Sequence, residues 1–138
     1  MTTSMSQIDK SKEIARQWLE DFWDGNMDVA DEIAAPNCIF HTAPPGISNG
    51  PEGLKQWAGL FFEAFTDVHL QAADMIAEGH KVTARFTGTG NHTKGPFMGY
   101  KANGKEIFFL GVDIFYIIDN KITEHWIYFE VKGLGENP

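Results

Sequence analysis

With 138 residues, 43% of them hydrophobic and 13% aromatic, the chain carries enough apolar material for one core and too little length for two. Its net charge of −8 and its singly scattered Lys and Arg argue against a phosphate-binding surface, and hence against nucleic acid as a partner. Cys38 stands alone, which rules out an intrachain disulfide or a cysteine metal motif. The polar stretch Met1 to Lys10 lacks an apolar signal core and no run approaches a membrane span, so no membrane is expected and the location is read as cytoplasmic.

Ile14, Ala15, Trp18, Leu19, Phe22 and Trp23 recur at helical spacing before Gly25, which predicts a first helix from about Ser6 to Asp24. Val29, Ala30, Ile33 and Ala34 predict a shorter helix over Asp28 to Ala35, stopped by Pro36, and Cys38 to His41 reads as extended. Gly50-Pro51 opens a third helix, with Leu54, Trp57, Ala58, Phe61, Phe62 and Phe65 in step behind it. After Phe65 the apolar period falls to two, predicting strands over Val68 to Glu78, Lys81 to Gly90, Glu106 to Ile118 and Lys121 to Val131. Helices followed by antiparallel strands describe an α+β domain spanning the chain, a curved sheet wrapped against three helices around a hydrophobic pocket.

The last two strands are apolar enough to be buried and yet contain Asp113 and His125. Burying ionisable groups is costly unless they are paired or useful, so the two are candidates for acid/base chemistry. Their meeting depends on the turn at Ile118-Asp119-Asn120-Lys121. A two-residue turn sets Asp113 opposite Trp126 and Glu124 on the same face as Asp113; a three-residue loop sets Asp113 opposite His125 and sends Glu124 to the other face. The second register is favoured because it keeps two carboxylates off one apolar face. The strand Glu106 to Ile118 is apolar on both faces, with Ile107, Phe109 and Phe115 on one and Phe108, Leu110, Val112 and Ile114 on the other. Since the helices can cover only one face, a homodimer through the convex face is expected.

The segments Gly88-Thr-Gly-Asn-His-Thr-Lys-Gly-Pro-Phe-Met-Gly99, Asn103-Gly-Lys-Glu106, Gly111-Val-Asp-Ile-Phe115 and Lys121-Ile-Thr-Glu-His-Trp126 resemble the SnoaL-like polyketide cyclase family of the nuclear-transport-factor-two-like superfamily. The resemblance implies a cystatin-like, cone-shaped α+β fold and a small enzyme that closes a polyketide ring by an intramolecular aldol reaction without cofactor. It also implies a general acid/base Asp two residues beyond His125, where this chain has Ile127, and a His where it has Asp113. The aldol mechanism therefore does not carry over directly, and a carboxylate has moved one strand across. His41 and His92 match positions that face the pocket in the family.

Asp113, His125, His41 and His92 form the candidate catalytic constellation, with Trp18, Phe61, Phe109, Ile127 and Phe129 expected to line the pocket. Each has a plainer reading: Asp113 as a satisfied acceptor, His125 as hairpin support, His92 as a solvated loop residue, and the aromatic rings as core. No histidine spacing or Asp/Glu cluster suggests a metal. Three functions follow, namely a cofactor-free acid/base enzyme acting on a hydrophobic carbonyl compound, a non-catalytic binder of small apolar molecules, and a dimeric scaffold.

Overall fold

A computed structural model describes residues 6–135. Ser6 caps the first helix, α1 (Gln7–Arg16), its hydroxyl accepting from the Asp9 N–H at 3.1 Å. The single long helix expected to Asp24 is instead continued by a π-helical segment, Gln17–Phe22. In an α-helix a residue five places on lies about 140° round the axis. The wider π turn brings Trp23 back toward Trp18, ring centroids 5.8 Å apart, so that Trp18, Leu19, Phe22 and Trp23 all enter the core.

The second helix, α2 (Val29–Ile33), is shorter than expected because the chain is already extended at Ala34. Pro36 biases the residue before it away from helix, and its missing N–H is tolerated because β1 (Ala34–Phe40) is an edge strand. Gly50 begins α3 (Gly50–Phe62) at φ +83°, where a Cβ would stand 2.3 Å from the Pro36 carbonyl oxygen. Only glycine fits there. Four long strands follow: β2 (Thr66–Glu78), β3 (Lys81–Asn91), β4 (Glu106–Ile118) and β5 (Lys121–Lys132). The sheet order is β1-β5-β4-β3-β2, antiparallel except where β1 runs parallel to β5. The expected α+β architecture is present.

Alternation along β4 divides its faces. Ile107, Phe109, Asp113, Phe115 and Ile117 are buried against the helices, whereas Leu110, Val112 and Ile114 are half-buried and Phe108 is 46% exposed on the far side.

The hairpin register corrects both solutions offered by the sequence. Asp119 and Asn120, at φ +52° and +61°, form a two-residue turn with Ile118 opposite Lys121. A bulge at Thr123 then adds one residue to β5, so Ile117 pairs with Ile122 but Tyr116 with Glu124. Asp113 consequently lies opposite Ile127, and His125 opposite Phe115. One added residue restores the parity that keeps Asp113 and His125 inward, and it turns Glu124 outward.

Candidate active site

Asp113 and His125 are diagonal neighbours on the inner face of the β4–β5 ladder, 1% and 0% exposed. The Asp113 Oδ1 lies 3.4 Å from His125 Nε2, and Oδ2 accepts from the Trp18 indole N–H at 3.2 Å. Burial pushes the Asp113 carboxyl above its ordinary pKa, against the opposing pull of its contacts with His125 and Trp18. The imidazole is stacked between Phe115 and Phe40 at 4.6 and 5.4 Å, with Trp18 edge-on at 4.9 Å. Its Nδ1 has no hydrogen-bond partner. A proton on Nε2 faces Asp113 Oδ1, whereas one on Nδ1 is an unpaired N–H among rings.

Asp113 lines a small internal cavity of about 30 Å³ together with Trp18, Trp23, Trp57, Phe61, Val68, Leu70, Phe86, Phe109, Ile127 and Phe129. That is space for about two waters, well below the roughly 300 Å³ of an ordinary ligand pocket. All five residues read from the sequence as pocket lining, Trp18, Phe61, Phe109, Ile127 and Phe129, are on these walls. Trp23, Trp57, Val68, Leu70 and Phe86 were not assigned there, although Val68, Leu70 and Phe86 follow from the alternation of β2 and β3 once the inner face is known. Leu70 and Phe129 are the only partly exposed members of the lining.

The structure does not bring His41 or His92 to this cavity. His41 lies beyond the end of β1 on the outer face, stacked on Trp126 at 4.3 Å and 2.8 Å from Glu124 Oε1. It follows Phe40, whose ring takes the inner position beside His125, so alternation sends His41 outward. His92 is fully buried rather than solvated, packed on Phe65 at 4.9 Å, its Nε2 bonded to the Gly95 carbonyl at 2.7 Å and its Nδ1 unpaired. With its backbone bonded to Gly104 and Lys105, it ties the 92–105 loop to the end of the sheet. Burial raises the Cys38 thiol to about 12, which leaves it inert as a nucleophile. Among the described residues no group of three His, Cys, Asp or Glu could hold a metal ion, and no helix is long and apolar enough to cross a membrane.

A family model for SnoaL-like polyketide cyclases matches residues 13–136. The chain belongs to this family. Among solved structures it is 32% identical to a proposed polyketide cyclase from Bacillus cereus, over 93% of this chain and 79% of that one, with a TM-score of 0.77. TsrD from Streptomyces laurentii aligns over 92% of both chains at 24% identity and a TM-score of 0.78. AclR, a proposed hydroxylase from Streptomyces galilaeus, aligns over 90% and 91% at 20% identity and 0.74. The latter two likenesses concern the fold. No curated protein matches the chain. Ile127, where the resemblance implies a carboxylate, and Asp113 are cross-strand partners, and both face the cavity.

Proposed function

We propose that this SnoaL-like protein is a cofactor-free acid/base enzyme acting on a hydrophobic, polyketide-like carbonyl compound, with Asp113 as its catalytic residue. The observation that carries this reading is that Asp113 is the only titratable side chain on an otherwise apolar cavity wall. A carboxylate stripped of water there takes a proton from carbon beside a carbonyl to give an enolate, a step that isomerisation, dehydration and ring closure share. The resulting acid then returns the proton to another carbon of the enolate in isomerisation, to the departing β-hydroxyl in dehydration, or to the alkoxide formed when the enolate carbon attacks a second carbonyl in ring closure. His125 touches Asp113 but not the cavity, so it acts as a positioning residue. His41 and His92 have no part in the reaction. A substrate larger than the cavity enters by displacing side chains, and the half-exposed Phe129, packed on Trp57 and Phe61 at 5.7 and 5.5 Å, is the ring we assign to that movement.

The test is exchange of α-hydrogen for deuterium in a panel of aryl ketones such as 1-tetralone, followed by NMR with wild type and Asp113→Asn. Wild type is expected to accelerate exchange and the variant to fall to the background rate; equal rates in the two remove Asp113 from the mechanism. A second reading, a binder without chemistry, is favoured by the apolar Ile127 on the cavity wall. It predicts a ligand-dependent rise in Tm with no exchange by either protein.

We further propose that two copies pair through the convex face, where Phe108 and Tyr128 are 46% and 56% exposed beside Leu110, Val112 and Ile114. Light scattering is expected to give a dimer mass for wild type and a monomer mass for Val112→Lys. A monomeric wild type ends this proposal.

A further inference from the structure

The carboxyl of Asp113 is held from two sides, and only one of the two holders was legible as a polar partner. We infer that Trp18 is a positioning residue of the site: its indole N–H, presented by the π-helical turn, orients the Asp113 carboxyl toward the cavity. This deepens the assignment of Asp113 as the proton-transfer group and rests on it for its catalytic consequence.

Three observations converge on Trp18. It is fully buried and donates to Oδ2 at 3.2 Å while His125 engages Oδ1, so each carboxyl oxygen has its own fixed partner. Two partners on two oxygens set the plane of the carboxyl, which one partner alone leaves free to rotate. The indole is itself immobilised, stacked on Phe22 at 4.5 Å and met edge-on by Trp23 and by the His125 ring. Finally, Trp18 lies within the segment Gln17–Phe22 that departs from α-helix, and local π turns recur where a side chain has to be aimed.

The elements packed around Asp113 bring it no other charge. Its neighbour on β3 is Ala84 and on β5 is Ile127, and His125 is the one titratable group among its partners. The indole N–H favours the ionised form, opposing the upward push of burial. Trp18 therefore holds the carboxyl in place and opposes the upward push of burial on its pKa.

The experiment is an NMR titration of the full chain labelled with carboxyl-13C aspartate, the Asp113 signal being the one lost in Asp113→Asn. In Trp18→Phe the Asp113 midpoint is expected to move upward, and the ketone exchange rate to fall roughly tenfold to a hundredfold, as for loss of a hydrogen bond to a charged group. Should Trp18→Phe fold poorly, benzothienylalanine at position 18 keeps the bicyclic ring and replaces N–H by sulfur. The same upward shift is then expected. A midpoint equal to wild type in whichever replacement folds overturns the assignment, because a purely packing role changes Tm and not the titration. If Asp113→Asn exchanges ketone as fast as wild type, the catalytic reading fails, while the titration still decides whether Trp18 holds the carboxyl.

Discussion

The molecule contains a histidine–carboxylate pair on each face of the same strand, and the shorter contact is the less consequential. His41 and Glu124 meet at 2.8 Å outside, with side chains 34% and 35% exposed; His125 and Asp113 meet at 3.4 Å inside, with side chains 0% and 2% exposed. Water screens the outer pair and supplies its members with other partners, so its net worth is about 0 to 1 kcal/mol. Inside, bulk water does not compete, and an unmet polar atom costs more. What differs between the two pairs is their surroundings. Only the inner one is bonded to a buried indole and opens onto a cavity.

The largest effect is expected from removing one inner partner. His125→Ala is expected to cost about 3 to 5 kcal/mol in urea unfolding, since it leaves the buried Oδ1 of Asp113 unpaired and empties a ring-sized space between Phe40 and Phe115. Replacing both members, in Asp113→Leu with His125→Phe, is expected to recover most of that loss while abolishing ketone exchange. A double variant as unstable as the single one means that the pair serves the fold. The next effect is one of pH. Because burial raises the folded pKa of Asp113 above its ordinary value of 3.8, the folded state binds the extra proton first as pH falls. Wild type therefore gains stability from this group at low pH and loses it as pH rises from about 4 through the folded value. Relative to wild type, Asp113→Asn is expected to become progressively more stable over that rise, read as the difference in Tm at pH 4 and pH 7. A difference that does not change with pH contradicts a raised carboxyl.

A smaller change makes the inner pair more like the outer one. Phe129 is a half-exposed ring of the cavity wall, and Phe129→Ala is expected to cost about 1 to 2 kcal/mol in apolar contact. By admitting water it is also expected to draw the Asp113 titration down toward the ordinary carboxylate range. An unmoved midpoint means that the carboxyl is shielded by other rings.

Much of this contrast was legible from residue periodicity. The strand Glu106–Ile118 was bounded correctly because alternation of bulky side chains is a direct consequence of the pleat. That Asp113 and His125 share the inner face also followed, although through the wrong register. The sequence offered a turn of two residues or of three, whereas the chain uses a two-residue turn and places its extra residue at Thr123, and nothing local to Asp119-Asn120 encodes a bulge three residues on. The π turn was hidden for a similar reason, since Trp18, Leu19, Phe22 and Trp23 satisfy an α-helical stripe nearly as well. A signal for Trp18 did exist: a buried indole usually finds a partner for its N–H, and Asp113 was the acidic residue expected to be buried. His41 was misplaced because its position came from resemblance, whereas the alternation after Phe40 already directed it outward.

The smallest predicted effect tests the outer half of the comparison. His41 rests flat on Trp126, which Tyr116 meets edge-on at 5.5 Å, so its ring has apolar contact as well as an ionic partner. Glu124→Gln keeps the shape and removes the charge, and is expected to change stability by less than about 1 kcal/mol, with the difference shrinking further in 1 M salt. His41→Ala also removes the stacked ring and is expected to cost about 1 kcal/mol more than Glu124→Gln. Neither variant is expected to alter ketone exchange, because neither side chain reaches the cavity. A loss of exchange in His41→Ala as large as in Asp113→Asn dissolves the distinction between the faces and makes the outer histidine part of the chemistry. Intact exchange in both variants leaves the interior carboxyl, held by His125 and Trp18, to carry the reaction.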